Sequence, residues 1–134
     1  MRRTVSDGIV LAAAMLVLAC SPPTSPLDLA GIYTLRTVNG LPLPYLFPLA
    51  GTTQVEALDD TFTLNPGGTY AESGHKLFDV AGVVTVTYPI DAGNFTRRGD
   101  DITFESLIYG ASMGTVSNGT LTLVEQGLTL VYQR

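Results

Sequence analysis

Large apolar side chains recur at every second position in short runs from residue 27 to the end, and this alternation restricts the fold more than any other feature. Tyr33 with Leu35, Phe62 with Leu64, Val84 with Val86 and Tyr88, and Ile102 with Phe104 each share one side of such a run. Leu121 with Leu123, and Leu128 with Leu130 and Tyr132, repeat the pattern, while Thr63, Thr85, Thr87, Thr103, Thr122 and Thr129 occupy the opposite sides. Residues two apart share a face only in an extended strand, and β-branched threonine suits a pleated, wetted surface. The reading is therefore strands with one dry and one wet face, the pattern of an antiparallel sheet wrapped around one core. Eight to ten strands are predicted, near 31–38, 52–58, 61–65, 69–78, 82–89, 93–98, 101–106, 112–117, 120–125 and 128–133. Asn65-Pro66-Gly67-Gly68, Arg98-Gly99-Asp100, Asn118-Gly119 and Gln126-Gly127 supply turn residues between them, so consecutive strands become neighbours. An all-β, antiparallel up-and-down meander closed into a small barrel removes every exposed edge; a two-sheet β-sandwich is the alternative.

The amino-terminal part is built differently. Arg2-Arg3 precede an apolar run, 9–19, that ends immediately before Cys20, the chain's only cysteine. The run is too short to span a bilayer, where a helix needs about 20 apolar residues. A basic start, an apolar middle and a small residue before a cleavage point make a secretory signal. Val17-Leu18-Ala19-Cys20 resembles a bacterial lipobox, which implies cleavage before Cys20 and a lipid on its sulfur. Three parts are expected: a signal peptide over 1–19, a lipidated cysteine with a Pro/Ser-rich tether over 20–27, and a barrel domain over 28–134. In the same resemblance, Ser21 after the cysteine implies the outer membrane, with the protein facing the periplasm or the cell surface.

Beyond residue 19 the chain carries five basic and eleven acidic residues, a formal charge of −6. Phosphate binding needs clustered Lys and Arg, so nucleic acid is excluded as a partner. The same balance disfavours an electrostatic grip on anionic lipid and leaves membrane attachment to the lipid on Cys20. With that cysteine committed, no disulfide is expected and the domain must be held by burial and hydrogen bonding.

Residues 29–44, Leu-Ala-Gly-Ile-Tyr-Thr-Leu-Arg-Thr-Val-Asn-Gly-Leu-Pro-Leu-Pro, carry the pattern G-x-Y-x-L-x-x-x-N-G-x-P-L-P. This resembles the first strand of small bacterial lipocalin-like lipoproteins. Lipocalins place a tryptophan where Tyr33 stands, two residues after the glycine matched by Gly31, and cover it with an arginine from the far end of the chain. Arg134 is the counterpart that the resemblance implies. It implies a lipocalin-like barrel and no ligand identity, because the fold alone dictates no activity.

The loop 41–51 contains three prolines and six large apolar side chains, an unusual composition for a loop. Tyr45, Leu46 and Phe47 are candidates for a lid over an apolar ligand, and Tyr45 and Phe47 for anchors of a protein partner; the bland reading is that these residues plug one barrel end or pack outside it. The inward set Tyr33, Phe62, Tyr70, Val84, Val86, Tyr88, Phe95, Phe104 and Tyr132 combines apolar surface with phenol hydroxyls, which suits an amphipathic ligand if a cavity exists. An eight-stranded barrel is also narrow enough for side chains alone to fill it. Tyr33, Tyr45, Phe47, Phe62, Tyr70, Tyr88, Phe104 and Tyr132 are thus the candidate ligand-binding residues, and Cys20 the lipidation site.

No catalytic, metal or cofactor site is expected. His75 is the only histidine, at a position read as an exposed strand or turn, and one histidine makes neither a zinc site nor, without a nucleophile motif, a triad. Asp59-Asp60 and Asp100-Asp101 read as turn formers, and Arg97-Arg98 as a local ion-pairing spot. The expected function is non-enzymatic binding of a small apolar or amphipathic ligand by a lipid-anchored envelope protein. The alternative is a protein-interaction module, an inhibitor or assembly factor, that uses loop 41–51. An enzyme would require two ionisable side chains converging inside the barrel.

Overall fold

The computed structural model describes residues 26–134; the signal segment 1–19, Cys20 and most of the tether 20–27 lie outside them. A 3-10 turn, Pro26–Leu29, leads into β1 (Gly31–Val38), which is followed by the two-residue strands β2 (Leu41–Pro42) and β3 (Tyr45–Leu46). Two long strands, β4 (Thr53–Leu64) and β5 (Thr69–Val80), come next, then β6 (Val83–Thr87) and β7 (Ile90–Arg98). The meander ends with β8 (Asp101–Ser106), β9 (Gly110–Ser117), β10 (Thr120–Glu125) and β11 (Leu128–Gln133). All pairings are antiparallel, in the order β1-β11-β10-β9-β8-β7-β5-β4. The pairing of β4 back onto β1, Leu64 opposite Gly31 and Phe62 opposite Tyr33, closes eight strands into the small lipocalin-like barrel that the alternation predicts. A sandwich has no such closing ladder.

Turn chemistry explains the connections. At Asn39-Gly40, Ala81-Gly82, Asn118-Gly119 and Gln126-Gly127 both central residues have positive φ, which a two-residue hairpin turn matched to right-handed strand twist requires. Asn39 adds a tie to the neighbouring strand, its Oδ1 accepting the Thr129 N–H at 2.8 Å and its N–H donating to the Thr129 carbonyl at 2.8 Å.

One barrel end is sealed. Leu29 plugs it, and the Tyr33 hydroxyl donates to the Leu29 carbonyl at 3.0 Å. The Arg134 guanidinium lies over the Tyr33 ring, 5.9 Å from its centre, and donates to the carbonyls of Asp28 and Ala30. Gly31, at φ 153°, leaves room for this arginine, since a Cβ there would stand 2.6 Å from the Arg134 Cδ. The tyrosine and arginine of the resemblance therefore meet across the barrel base.

Three expectations need correction. Segments 52–58 and 61–65 form the single strand β4, because a bulge at Leu58 adds a residue opposite β5 and resets which side chains face inward. Ala57 and Val55 thus point into the core from odd positions, whereas Asp60, Phe62 and Leu64 do so from even ones. Asp59 and Asp60 consequently lie within a strand and form no turn. Segment 82–89 is not a barrel stave: β6 pairs only with the outer half of β5, beyond the stretch of β5 that pairs with β7. Val84, Val86 and Tyr88 alternate as a strand should, but all three are exposed, Tyr88 by 67 %. Finally, loop 41–51 is partly regular, since β2 pairs with the end of β1 and β3 with Glu56 and Ala57 of β4.

Glycines allow the walls to approach where the barrel curves. A Cβ on Gly93 would collide with the Glu105 carbonyl on β8 and sit 3.0 Å from the Tyr70 ring. Gly93→Ala should lower stability by about 2 kcal/mol or more in thermal or denaturant unfolding, because rigid backbone must move. Gly67→Ala, which meets nothing within 4 Å, should change it by no more than about 0.5 kcal/mol.

Candidate functional site

Followed from the sealed end towards the other, the inward-facing residues of six staves change character. On β4 they run Leu64, Phe62, Asp60; on β5 Tyr70, Glu72; on β7 Phe95, Gly93, Asp91. On β8 the order is Ile102, Phe104, Ser106, on β9 Val116, Gly114, Ser112, and on β10 Leu121, Leu123, Glu125. The apolar part is packed solid. Phe62, Tyr70, Phe104 and Tyr132 form one aromatic cluster with ring centres 5.0–5.6 Å apart in stacked, tilted and edge-on pairs. Charged groups cannot be buried that way without a large desolvation cost, so the polar layer above stays open to water.

The result is a cavity of about 600 Å³ at the open end. Phe62 and Tyr70 form its floor, Glu72, Asp91, Ser106 and Ser112 its walls, and Lys76 and Glu125 reach it from β5 and β10. Pro89, Ile90 and Tyr109 line it too, the last two exposed. β1 and β11 contribute no polar layer. Their side of the mouth is apolar and covered by loop 41–51, with Tyr45 buried, Leu43 and Phe47 packed on the core, and the Tyr45 and Phe47 rings edge-on at 5.3 Å. Within that loop Leu41, Leu46 and Leu49 remain exposed.

The candidate ligand residues thus separate by position. Phe62 and Tyr70 line the cavity, and Phe104 and Tyr132 support them from within the core. Tyr33 is at the sealed end, Tyr45 and Phe47 plug the apolar half of the mouth, and Tyr88 stands outside, edge-on to the His75 ring at 5.0 Å. His75, on β5, pairs through Nδ1 with the Asp59 carboxylate at 2.6 and 2.8 Å on the outer wall. Arg97 pairs with Asp100 at 3.6 Å. A second, smaller cleft of about 350 Å³ lies at the sealed end beside Arg97 and Arg134.

The carboxyl groups were the residues that sequence reasoning missed. Asp91 is held by three donors: the Tyr70 hydroxyl at 2.7 Å, the Ser106 hydroxyl at 2.7 Å and the Ala92 N–H at 2.8 Å. Asp60 accepts the Tyr132 hydroxyl at 2.7 Å and the Thr61 N–H at 2.8 Å, and the Glu72 carboxyl is its neighbour. Burial, then the neighbouring Asp60 and the more distant Glu125 and Asp91, push Glu72 up to about 9. Burial also raises Asp60, against the opposing pull of its hydrogen bonds and of Lys76. Glu72 therefore keeps its proton at neutral pH. Burial and then the facing carboxylates raise both tyrosines as well, Asp91 acting on Tyr70 and Asp60 on Tyr132, which keeps both phenols protonated as donors. Among the described residues no three or more His, Cys, Asp or Glu side chains converge closely enough to hold a metal ion. The signal for these acids was present in the sequence as polar continuations of apolar faces: Leu64-x-Phe62-x-Asp60, Tyr70-x-Glu72, Phe104-x-Ser106 and Leu121-x-Leu123-x-Glu125.

A pH dependence follows. Between about 4.5 and 9 the folded chain keeps a proton on Glu72 that the unfolded chain gives up, so this group's contribution to stability falls as pH rises through that window. Glu72→Gln should remove that loss. Its melting temperature at pH 8 should exceed the parent's by at least roughly 5 °C, about 1 kcal/mol or more for a domain of this size, and the difference should vanish near pH 4.

Comparisons with models of protein families, with curated proteins and with solved structures find no match to this chain.

Proposed function

We propose that this protein is a lipid-anchored envelope lipoprotein of lipocalin-like architecture whose barrel binds a small amphipathic molecule without transforming it. The observation that carries the reading is the open cavity of about 600 Å³, within the usual range for ligand pockets, with an aromatic floor and a few oriented polar groups. An eight-stranded barrel can be filled by side chains, so an unfilled upper third is a departure that a binding role explains. Orientation supports the same reading. Pro26–Leu29 lies at the sealed end and the cavity opens at the other, so an anchor on the amino-terminal side would leave the cavity facing away from the membrane. Ligand would then enter from the aqueous side.

The pairing of Asp60 with Glu72 meets the requirement set above for an enzyme, yet its geometry favours binding. Of the two carboxyls only Glu72 lines the cavity; Asp60 is engaged by the Tyr132 hydroxyl and the Thr61 N–H, whereas acid–base catalysis needs both groups within reach of the substrate. A second reading, docking of an envelope protein, draws on the exposed Leu41, Leu46 and Leu49 of loop 41–51. Tyr45 and Phe47, its anchors in the sequence reading, are turned into the core.

Native mass spectrometry of protein extracted from its own host should find a non-covalent small molecule retained by the parent. Ser112→Phe, which places a ring in the cavity beside its cross-strand neighbour Phe104, should reduce that occupancy and weaken an amphipathic fluorescent probe by about tenfold, the effect of about 1.4 kcal/mol, while the unfolding transition stays cooperative. Repeated recovery of empty parent protein, with equal probe affinity in both forms, would overturn the reading. Cys20→Ser should shift the chain from the membrane to the soluble fraction on cell fractionation.

A further inference from the structure

The cavity has its polarity arranged in an unusual order. Its depth is acidic and aromatic, and its rim is apolar. Glu72, Asp91 and Glu125 line it, with Asp60 directly behind Glu72, and Lys76 is the one cation among them. With Glu72 protonated, Asp91 and Glu125 still outnumber Lys76, so the groups that line the space leave it net negative. The floor is formed by Phe62 and Tyr70, both almost wholly buried and stacked on each other at 5.6 Å, and the Tyr70 hydroxyl is directed at Asp91. Exposed Ile90, Tyr109, Met113 and Val124 border the same cavity. A ligand that enters tail first, as a fatty acid would, puts hydrocarbon against carboxyl groups and an anionic head near Glu125.

Resting on the ligand-binding reading above, we infer that this cavity takes a cationic amphiphile head first, its ammonium group among Glu72, Asp91 and Glu125 over the Phe62 and Tyr70 rings, its apolar tail leaving across Ile90 and Tyr109. An inorganic cation does not fit the same observations, because the carboxyls are too dispersed to ligate one and the space is far larger than an ion. The donors already on Asp91 and Asp60 fix the carboxylates in place, so little ordering is required when the ligand arrives. Glu125 is exposed and has no structural partner to lose, which makes it the position from which the field in the cavity is most safely altered.

The test uses the full-length lipoprotein in zwitterionic lipid nanodiscs, with empty nanodiscs as blank, and three probes of equal tail length: n-octylammonium, n-octanol and n-octanoate, titrated by calorimetry at pH 7.5. Octylammonium should bind at least tenfold more tightly than octanol, and octanoate more weakly than either. Glu125→Lys should bring octylammonium to within about threefold of octanol, a narrowing of the ratio between two probes that loss of fold would not give. Octanol or octanoate binding as tightly as octylammonium to the parent would overturn the cationic assignment while leaving the binding reading intact. No saturable signal from any of the three probes would overturn both.

Discussion

The short ladder between β1 and β4, with Gly31 to Thr34 opposite Leu64 to Thr61, turns a sheet of consecutive hairpins into a barrel. Closure removes the two longest edges, and it also fixes the interior. Eight tilted strands leave a core only about one layer of side chains across, so each inward residue touches its counterparts on the facing wall. Phe62, Tyr70, Phe104 and Tyr132 pack together for that reason, although Tyr132 stands 70 positions after Phe62 in sequence. The interior is then as dense as its inward residues are large and apolar, and where they cease to be so it opens.

That opening carries a cost that packing alone would not impose. Asp60 and Glu72 sit where larger apolar residues would extend the aromatic cluster, and burial raises both carboxyls against their ordinary ionisation. The chain gives up stability at neutral pH to keep them, and it commits further residues to orienting them: the Tyr132 hydroxyl on Asp60, and the Tyr70 and Ser106 hydroxyls on Asp91. Ser106 is itself fixed by the backbone N–H groups of Ile108 and Tyr109 at 2.9 and 2.7 Å. Two acids perturbed by burial, Asp60 and Glu72, beside an Asp91 held by three donors are the arrangement expected of a functional site.

Much of the barrel was legible in the sequence because period-2 alternation and positive-φ turn residues are local signals. Ile102 with Phe104 and Leu121 with Leu123 were readable one strand at a time, as were Asn118-Gly119 and Gln126-Gly127. What failed was non-local. The bulge at Leu58 shifts parity within β4, so one strand looks like two separated by an acidic turn. β6 has the same alternation as a stave, yet it pairs only with the outer half of β5, and nothing in Val83–Thr87 reveals that the other half of β5 has taken β7. Asp60, Glu72 and Asp91 were passed over as ordinary polar residues because only closure brings β4, β5 and β7 around one space.

The two halves of the mouth explain why the cavity is a pocket and not a pore. On the β1 and β11 side, Val38, Leu128 and Leu130 remain apolar to the end of their strands and need a cover. Loop 41–51 supplies it, because β3 is pinned to Glu56 and Ala57, and the Asn39 amide donates to the Tyr45 hydroxyl at 3.2 Å. On the β4, β5, β7 and β10 side the acids reject such a cover, since an apolar lid over ionised carboxyls would strand them from water. The same chemistry that keeps half the mouth shut therefore holds the other half open. A molecule that closes the open half must bring its own compensation for those charges, which a hydrocarbon or an anion cannot do.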